Sequence, residues 1–139
     1  MQKNNIYYKE FGIEPFLEYH KIKYSHKKYL DLSNEIKKMP DFIVIDNNDL
    51  KFIECKSSGV DEDLNYVLRI KEQDINGYFE WNKFKNVLIF VTYNYNKEFF
   101  LITLIDLINE MKKVKAKQYN DNKLKYRTLY INQLIKHKL

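Results

Sequence analysis

The sequence predicts an α/β fold in which helices flank a central mixed β-sheet, and three observations lead to this prediction. Residues 42–56 have the pattern of an antiparallel hairpin. Residues 86–94, NVLIFVTYN, form a continuous β-branched and aromatic run, which is typical of a strand buried on both faces. A stretch with helical spacing separates these two segments, so the later strand can pair in parallel with the hairpin.

The first predicted element is a short helix in IEPFLEYHKI, residues 13–22. Pro15 falls where a first helical turn tolerates proline, and the neighbouring apolar residues suit one buried face. Glu14 and Glu18 are four residues apart and would share the same side of this helix. The following stretch is less regular, and we expect a strand in it over either Ile22–Tyr24 or Lys28–Leu32.

The hairpin is the best-defined element of the sequence. Its predicted strands, Phe42–Ile45 and Lys51–Lys56, are separated by Asp46, Asn47, Asn48 and Asp49, residue types that favour turns and tolerate left-handed backbone. If the two asparagines are the central turn residues, Asp41 lies directly opposite Glu54. A four-residue loop gives the same register.

The remaining elements follow in chain order. A helix is predicted over Glu62–Trp81, followed by the buried strand at 86–94. A further strand is expected over Glu98–Thr103, a helix over Leu104–Lys113 and a last helix over Leu129–Lys136. Because no repeat or Pro/Gly/Ser-rich linker interrupts the chain, we predict a single domain over residues 1–139.

Positive charge is concentrated at the end of the chain. The net charge is +5, yet residues 110–139 alone carry nine basic and two acidic residues, a net charge of +7. This basic segment is predicted to be helical and to meet phosphates. The candidate phosphate contacts are Lys112, Lys113, Lys115 and Lys117. A composition rich in Lys, Asn, Ile and Tyr offers a second interpretation, in which the lysines reflect coding bias.

The cysteine content and the N-terminal sequence narrow the protein class. Cys55 is the sole cysteine, so neither an intramolecular disulfide nor a zinc site of clustered cysteines is expected. The N-terminal sequence has no apolar core of the signal-peptide type, and no apolar run is long enough to span a membrane. We therefore expect a soluble cytoplasmic protein.

Three charged residues converge in the predicted hairpin. Side chains alternate along a strand, so Glu54 and Lys56 share one face with Asp41, whereas Cys55 points to the other face as a small core residue. Opposed carboxylates repel each other, and a divalent cation such as Mg²⁺ compensates them while leaving positions for water and phosphate. Lys56 can orient or deprotonate the attacking water. The simpler alternative is that Lys56 neutralises two acids in a surface cluster at a sheet edge.

These residues resemble the PD-(D/E)xK nuclease signature. The likeness lies in Pro40 and Asp41, a hydrophobic strand and turn, and then Glu54-Cys55-Lys56, in the form found in archaeal Holliday-junction resolvases and restriction-endonuclease-like proteins. It implies a restriction-endonuclease-like fold and Mg²⁺- or Mn²⁺-dependent cleavage of DNA. It also implies metal ligation by Asp41, Glu54 and the main-chain carbonyl of Cys55, with Lys56 as the catalytic lysine.

The same resemblance suggests two further site residues. Members often add an acidic ligand from the first helix, for which Glu18 is our choice and Glu14 and Glu10 are alternatives. A polar residue in the helix after the lysine also often contributes, and Gln73 is the candidate. A noncatalytic nucleic-acid-binding module with the same fold is the alternative function. A homodimer is expected because cutting two strands requires two sites.

Overall fold

The computed structural model describes residues 6–23, 27–118 and 124–139. Within these ranges, two β-sheets and several helices form around one hydrophobic cluster. The strands are β1 (Ile6–Glu10), β2 (Phe42–Asp46), β3 (Asp49–Ser57), β4 (Gly59–Val60), β5 (Tyr66–Lys71), β6 (Val87–Tyr93), β7 (Glu98–Thr103), β8 (Lys117–Gln118) and β9 (Lys125–Tyr130). The helices are α1 (Ile13–Tyr19), α2 (Lys27–Leu30), α3 (Asn34–Lys37), α4 (Glu72–Asn82), α5 (Leu104–Met111) and α6 (Ile131–Leu134), followed by a 3₁₀ turn at Ile135–His137.

The larger sheet has the strand order β1-β2-β3-β6-β7 and is mixed. Strands β3 and β6 are parallel, and the other neighbouring pairs are antiparallel. A central mixed sheet flanked by helices, as the sequence predicts, is therefore confirmed. The smaller sheet, with the order β4-β5-β9-β8, is inserted between β3 and α4 and completed by the end of the chain.

The hairpin forms in the predicted register. Phe42 pairs with Ile53 and Asp46 with Asp49, so Asp41 comes next in line opposite Glu54. Asn47 and Asn48 have φ angles of 49° and 66°, the left-handed conformation of a two-residue hairpin turn. Asparagine adopts this conformation more readily than most residues.

Several sequence predictions are corrected by the structure. The first strand is β1, and neither stretch expected to form it is a strand: Lys27–Leu30 is helical, Ile22 and Lys23 are irregular, and Tyr24 lies outside the described residues. The helix predicted over Glu62–Trp81 is strand β5 followed by α4, because residues 67–71 pair with β9, with Leu68 and Ile70 buried and Arg69 and Lys71 exposed. The predicted basic helical segment is only partly helical, since β8 and β9 lie in it.

The two faces of the larger sheet differ. One face packs against α4, α5 and the smaller sheet, and we call it the closed face; its buried residues are Phe52, Val87, Ile89, Val91, Phe100 and Ile102. The other, the open face, carries apolar side chains around a shallow cavity of about 570 Å³ that is lined by Tyr8, Phe42, Val44, Ile53, Cys55 and Phe90. On the open face of β6, Leu88 is buried but Phe90 is only partly covered, so the strand is fully covered on the closed face alone.

Candidate functional site

Two acidic side chains meet on the closed face. Asp41 immediately precedes β2, Glu54 lies near the middle of β3, and their carboxyl groups are hydrogen-bonded to each other. Burial, reinforced by the neighbouring charge of Asp41, raises the pKa of Glu54 to about 9. Asp41 is fixed further because its Oδ2 accepts a hydrogen bond of 2.9 Å from the backbone N–H of Cys55. The two groups therefore form a carboxyl pair that holds a proton near neutral pH.

Lys56 faces the same space as the carboxyl pair. Its positive charge favours the ionised form of Glu54 and so lowers the pKa of Glu54 against the larger effect of burial. The Lys56 ammonium lies 5.1 Å from the centre of the Tyr78 ring and 3.7 Å from Oδ2 of Asp74. The structure thus brings together Asp41, Glu54 and Lys56, the three residues that the hairpin pattern predicts.

Helix α4 supplies two residues that the sequence interpretation missed. Tyr78 is buried and hydrogen-bonded to Glu54, and this burial, together with the nearby carboxyl groups, raises the pKa of Tyr78 well above its usual value. Asp74, one turn earlier, forms ion pairs with both Lys56 and Lys38. The spacing of four residues between Asp74 and Tyr78 was the available signal, because it places both on one helix face.

Helix α3 is fastened to α4 beside this site. The Lys38 ammonium is 2.7 Å from Oδ1 of Asp74, and the Trp81 indole N–H donates a 2.8 Å hydrogen bond to the Glu35 carbonyl. The Lys38 side chain lies directly over Gly77, where a Cβ atom would overlap it. Glycine at this helix position therefore allows a second lysine to reach Asp74.

Gln73 lies apart from the carboxyl pair. Its side chain is exposed and lines a different depression, between the start of α4 and Lys125. Its main-chain carbonyl accepts a 2.9 Å hydrogen bond from the side chain of Asn34. The adjacent Asp74 occupies the position facing Lys56 instead, and a role for Gln73 in the site stays a prediction.

A cavity of about 340 Å³ opens in front of Asp41. Glu10, Glu14 and Cys55 contribute to its lining, whereas Glu18 is exposed elsewhere on α1. The structure therefore brings the two alternative acids, and not Glu18, to the cavity wall. In the described part of the chain, no cluster of three or more His, Cys, Asp or Glu side chains is arranged to hold a metal ion.

The exposure of Cys55 also differs from the sequence prediction. Its side chain was expected to be a small core residue, but it is exposed on the open face, where it lines the shallow cavity with Ile53 and Phe90. Partial burial and the charges of Asp41 and Glu54 raise the pKa of the thiol to about 11. The thiol is therefore protonated at neutral pH, a state in which it is a poor nucleophile.

The four candidate lysines of the C-terminal region are exposed, but they are not equivalent. Lys113 forms a 2.8 Å ion pair with Glu110, and the carboxylate partly neutralises the positive charge of Lys113. Arg127, another basic residue of this region, donates hydrogen bonds to the Met111 and Val114 carbonyls and pairs with Glu72. Arg127 thus has a structural role, because it closes the end of α5.

Comparisons with known proteins show which solved structure this fold resembles. No protein-family model matches the sequence, and no curated protein matches it either. Among solved structures, the chain is similar to D212, a nuclease from a fusselovirus, with a TM-score of 0.52 and 12% sequence identity over 93% of this chain and 68% of that one. The two chains share a fold. No helix in the described ranges is long and apolar enough to cross a membrane.

Proposed function

We propose that this chain is a metal-dependent nuclease of the PD-(D/E)xK type that hydrolyses phosphodiester bonds in DNA. The observation that carries the proposal is the convergence of Asp41, Glu54 and Lys56 on the closed face of the sheet. Burying two opposed carboxyl groups costs desolvation, and the two would repel each other if both were ionised, so a purely structural role does not explain the pair. The shared fold with a viral nuclease supports the same class.

The carboxyl pair fits a divalent cation. Two hydrogen-bonded carboxyls hold one proton between them, and a cation that displaces this proton would leave both oxygen ligands ionised. Asp41 and Glu54 would hold Mg²⁺ or Mn²⁺, with the Cys55 carbonyl and one of the acids Glu10, Glu14 or Glu18 as further ligands. When bound, such an ion supplies a water of lowered pKa and neutralises charge on the phosphate.

The chain's own residues position this chemistry. Lys56 faces the same space as Glu54, where it would orient the attacking water as an ammonium or, once it has given up its own proton, accept one from that water. Asp74 and Tyr78 keep Lys56 in place, one by an ion pair and the other by packing its ring against the ammonium. The buried Tyr78 hydroxyl orients Glu54.

The proposal also concerns the nucleic-acid substrate and the oligomeric state of the protein. DNA is the expected substrate, and a branched structure such as a Holliday junction is one candidate form. Lys112, Lys115 and Lys117 would contact phosphates, with Lys113 contributing less because of its ion pair. A homodimer would bring two catalytic sites to the two strands of a DNA substrate. Light scattering during size-exclusion chromatography, with and without DNA, measures the oligomeric state.

The first experiment is a cleavage assay on labelled single-stranded, duplex, flapped and four-way-junction DNA with Mn²⁺, Mg²⁺ or EDTA. We expect cleavage of at least one form that requires the metal. Lys56→Met should lower the rate by roughly 10²- to 10⁴-fold, the usual contribution of a positioned acid–base group. Glu54→Gln and Asp41→Asn should abolish cleavage while leaving DNA binding within a few-fold of the wild-type protein.

Matched controls come from the same strand. Lys51 and Asp49 also lie in β3 but outside the carboxyl pair, so Lys51→Met and Asp49→Asn should cut at the wild-type rate. Cleavage by Glu54→Gln at the wild-type rate would refute the site. Binding that persists in EDTA, without cleavage of any DNA form under either metal, would favour the noncatalytic module.

A further inference from the structure

Another cavity lies beyond Lys56, where the parallel strands β3 and β6 both end. Its volume is about 200 Å³, smaller than a typical pocket for a drug-sized ligand. Ligands often bind at the carboxyl ends of parallel strands, since side chains from neighbouring loops converge there. Three tyrosines and small polar residues line it: Tyr66, Tyr93, Tyr95, Ser57, Ser58 and Asn96.

Two of the tyrosines are held firmly in the cavity wall. The rings of Tyr66 and Tyr93 meet edge to face, with 6.0 Å between their centres, and Tyr93 also packs against the buried Phe100 at 5.9 Å. The Tyr66 hydroxyl donates a 2.9 Å hydrogen bond to Oδ1 of Asn94. These two rings therefore form a preorganised aromatic surface.

The third tyrosine has a different environment. Tyr95 is 84% exposed at the tip of the β6–β7 loop, and its φ angle of 57° lies in the left-handed region. Asparagine tolerates this region, as at Asn94 and Asn96, but a bulky residue there is an outlier. Neither burial nor backbone preference accounts for an aromatic residue at this position. Strained, exposed positions of this kind cluster at sites of recognition.

The cavity follows Lys56 along the two parallel strands. Lys56 pairs with Val91, and Tyr93 is two residues further along β6, on the same face of the sheet. Two strand residues span about 6.6 Å, which is comparable to the step between neighbouring nucleotides in an extended single strand. The Ser58 amide donates a 2.8 Å hydrogen bond to the Thr92 carbonyl and fixes the cavity relative to β6.

We propose that this cavity binds an unpaired nucleobase of the substrate strand, adjacent to the phosphate positioned at Lys56. The Tyr95 ring would stack on the base. The Ser58 hydroxyl and the side-chain N–H groups of Asn96, whose Oδ1 already accepts a 2.8 Å hydrogen bond from Thr92, would hydrogen-bond to the edge of the base. A base within an intact duplex is stacked on both faces and cannot enter without being extruded. The inference rests on the proposed nuclease function and narrows its substrates to DNA with single-stranded or branched regions.

The test measures binding in EDTA, so that no cleavage occurs. Two labelled strands of equal length and phosphate charge are compared by fluorescence anisotropy, oligo-dT and a strand composed entirely of abasic residues. We expect the full-length protein to bind oligo-dT at least about 10-fold more tightly, because each stacked base contributes appreciably to affinity. Tyr95→Ala should remove this preference, and Tyr95→Phe should retain it.

Two further variants make the result decisive. Tyr95→Asn removes the ring but suits the left-handed backbone, so it should fold and also lose the preference. Phe84 is 73% exposed at the opposite end of β6, and Phe84→Ala should keep the full preference. Equal affinity of the wild-type protein for both strands, or an unchanged preference in Tyr95→Ala and Tyr95→Asn, would overturn the proposal.

The cleavage assay separates this inference from the proposed function. If Lys56→Met abolishes cleavage while Tyr95→Ala leaves the base preference intact, the nuclease assignment stands and the nucleobase site is wrong. If the base preference depends on Tyr95 but no DNA form is cut under Mg²⁺ or Mn²⁺, the nucleobase site stands and the proposed enzymatic activity fails.

Discussion

Within β3, the two faces of the larger sheet differ from the usual distribution of residues around Glu54. On the closed face, Glu54 is 7% exposed and lies among carboxyl, ammonium and phenol groups. On the open face, its neighbours along the strand, Ile53 and Cys55, reach solvent beside Phe90. The comparison teaches that alternation along β3 was correctly predicted, but polarity alone does not identify which face is buried.

The difference has an energetic cause. Burying charged groups is unfavourable unless they are paired, and the closed face compensates this cost with hydrogen bonds and an ion pair. The apolar side chains packed there with α4 and α5 stabilise the same face by burial. On the open face, Ile53 and Cys55 line a shallow cavity and so contribute less to folding than the closed-face residues. Mutations on the two faces should therefore differ in size and in pH dependence.

The largest expected effect is on the closed face. Ile89 is fully buried and pairs with Glu54 across the parallel strands, so Ile89→Ala should lower the free energy of unfolding by about 2–5 kcal/mol. Urea denaturation followed by circular dichroism measures this change. A loss below about 1 kcal/mol would mean that the closed face is not the core of the protein.

The pH dependence of stability sharpens the comparison further. Between about pH 4.5 and 9, the folded protein holds a proton on Glu54 that the unfolded chain releases. Without metal, the free energy of unfolding should therefore fall as the pH rises, by up to about 1.4 kcal/mol per pH unit from this group. Glu54→Gln should remove that component, as urea denaturation across this range in EDTA would show.

A control belongs with the pH experiment. Asp49→Asn, on the same strand but at the turn, should keep the full slope of the wild-type protein. The same slope in Glu54→Gln as in the wild-type protein would contradict a buried, protonated Glu54.

The smallest expected effect is on the open face. Cys55→Ser should change the free energy of unfolding by no more than about 0.5 kcal/mol, because the thiol is exposed. The wild-type thiol should react slowly with iodoacetamide at pH 7 and faster as the pH approaches 11, since only the thiolate is nucleophilic. If the Cys55 thiol of the native protein did not react with iodoacetamide at pH 10, the open face would have to be covered.

The sequence predicted those features that depend on local patterns. The hairpin register follows from the turn residues and from alternation, and both are encoded within residues 41–56. Strand β5 was missed because its apolar residues also fit helical spacing, and its partner β9 lies more than fifty residues further along the chain. The four-residue spacing of Asp74 and Tyr78 places both on one helix face, but it does not show that this face meets Lys56 and Glu54.

The turn at Asn47 and Asn48 also constrains which length changes the gene can tolerate. A one-residue insertion there must either enlarge the loop or slip the pairing, and a slip of one residue exchanges the faces of β3. Glu54 and Lys56 would then project into solvent, with Ile53 and Cys55 packed under α4. Among in-frame insertions at this turn, those of two residues should therefore survive more often than those of one.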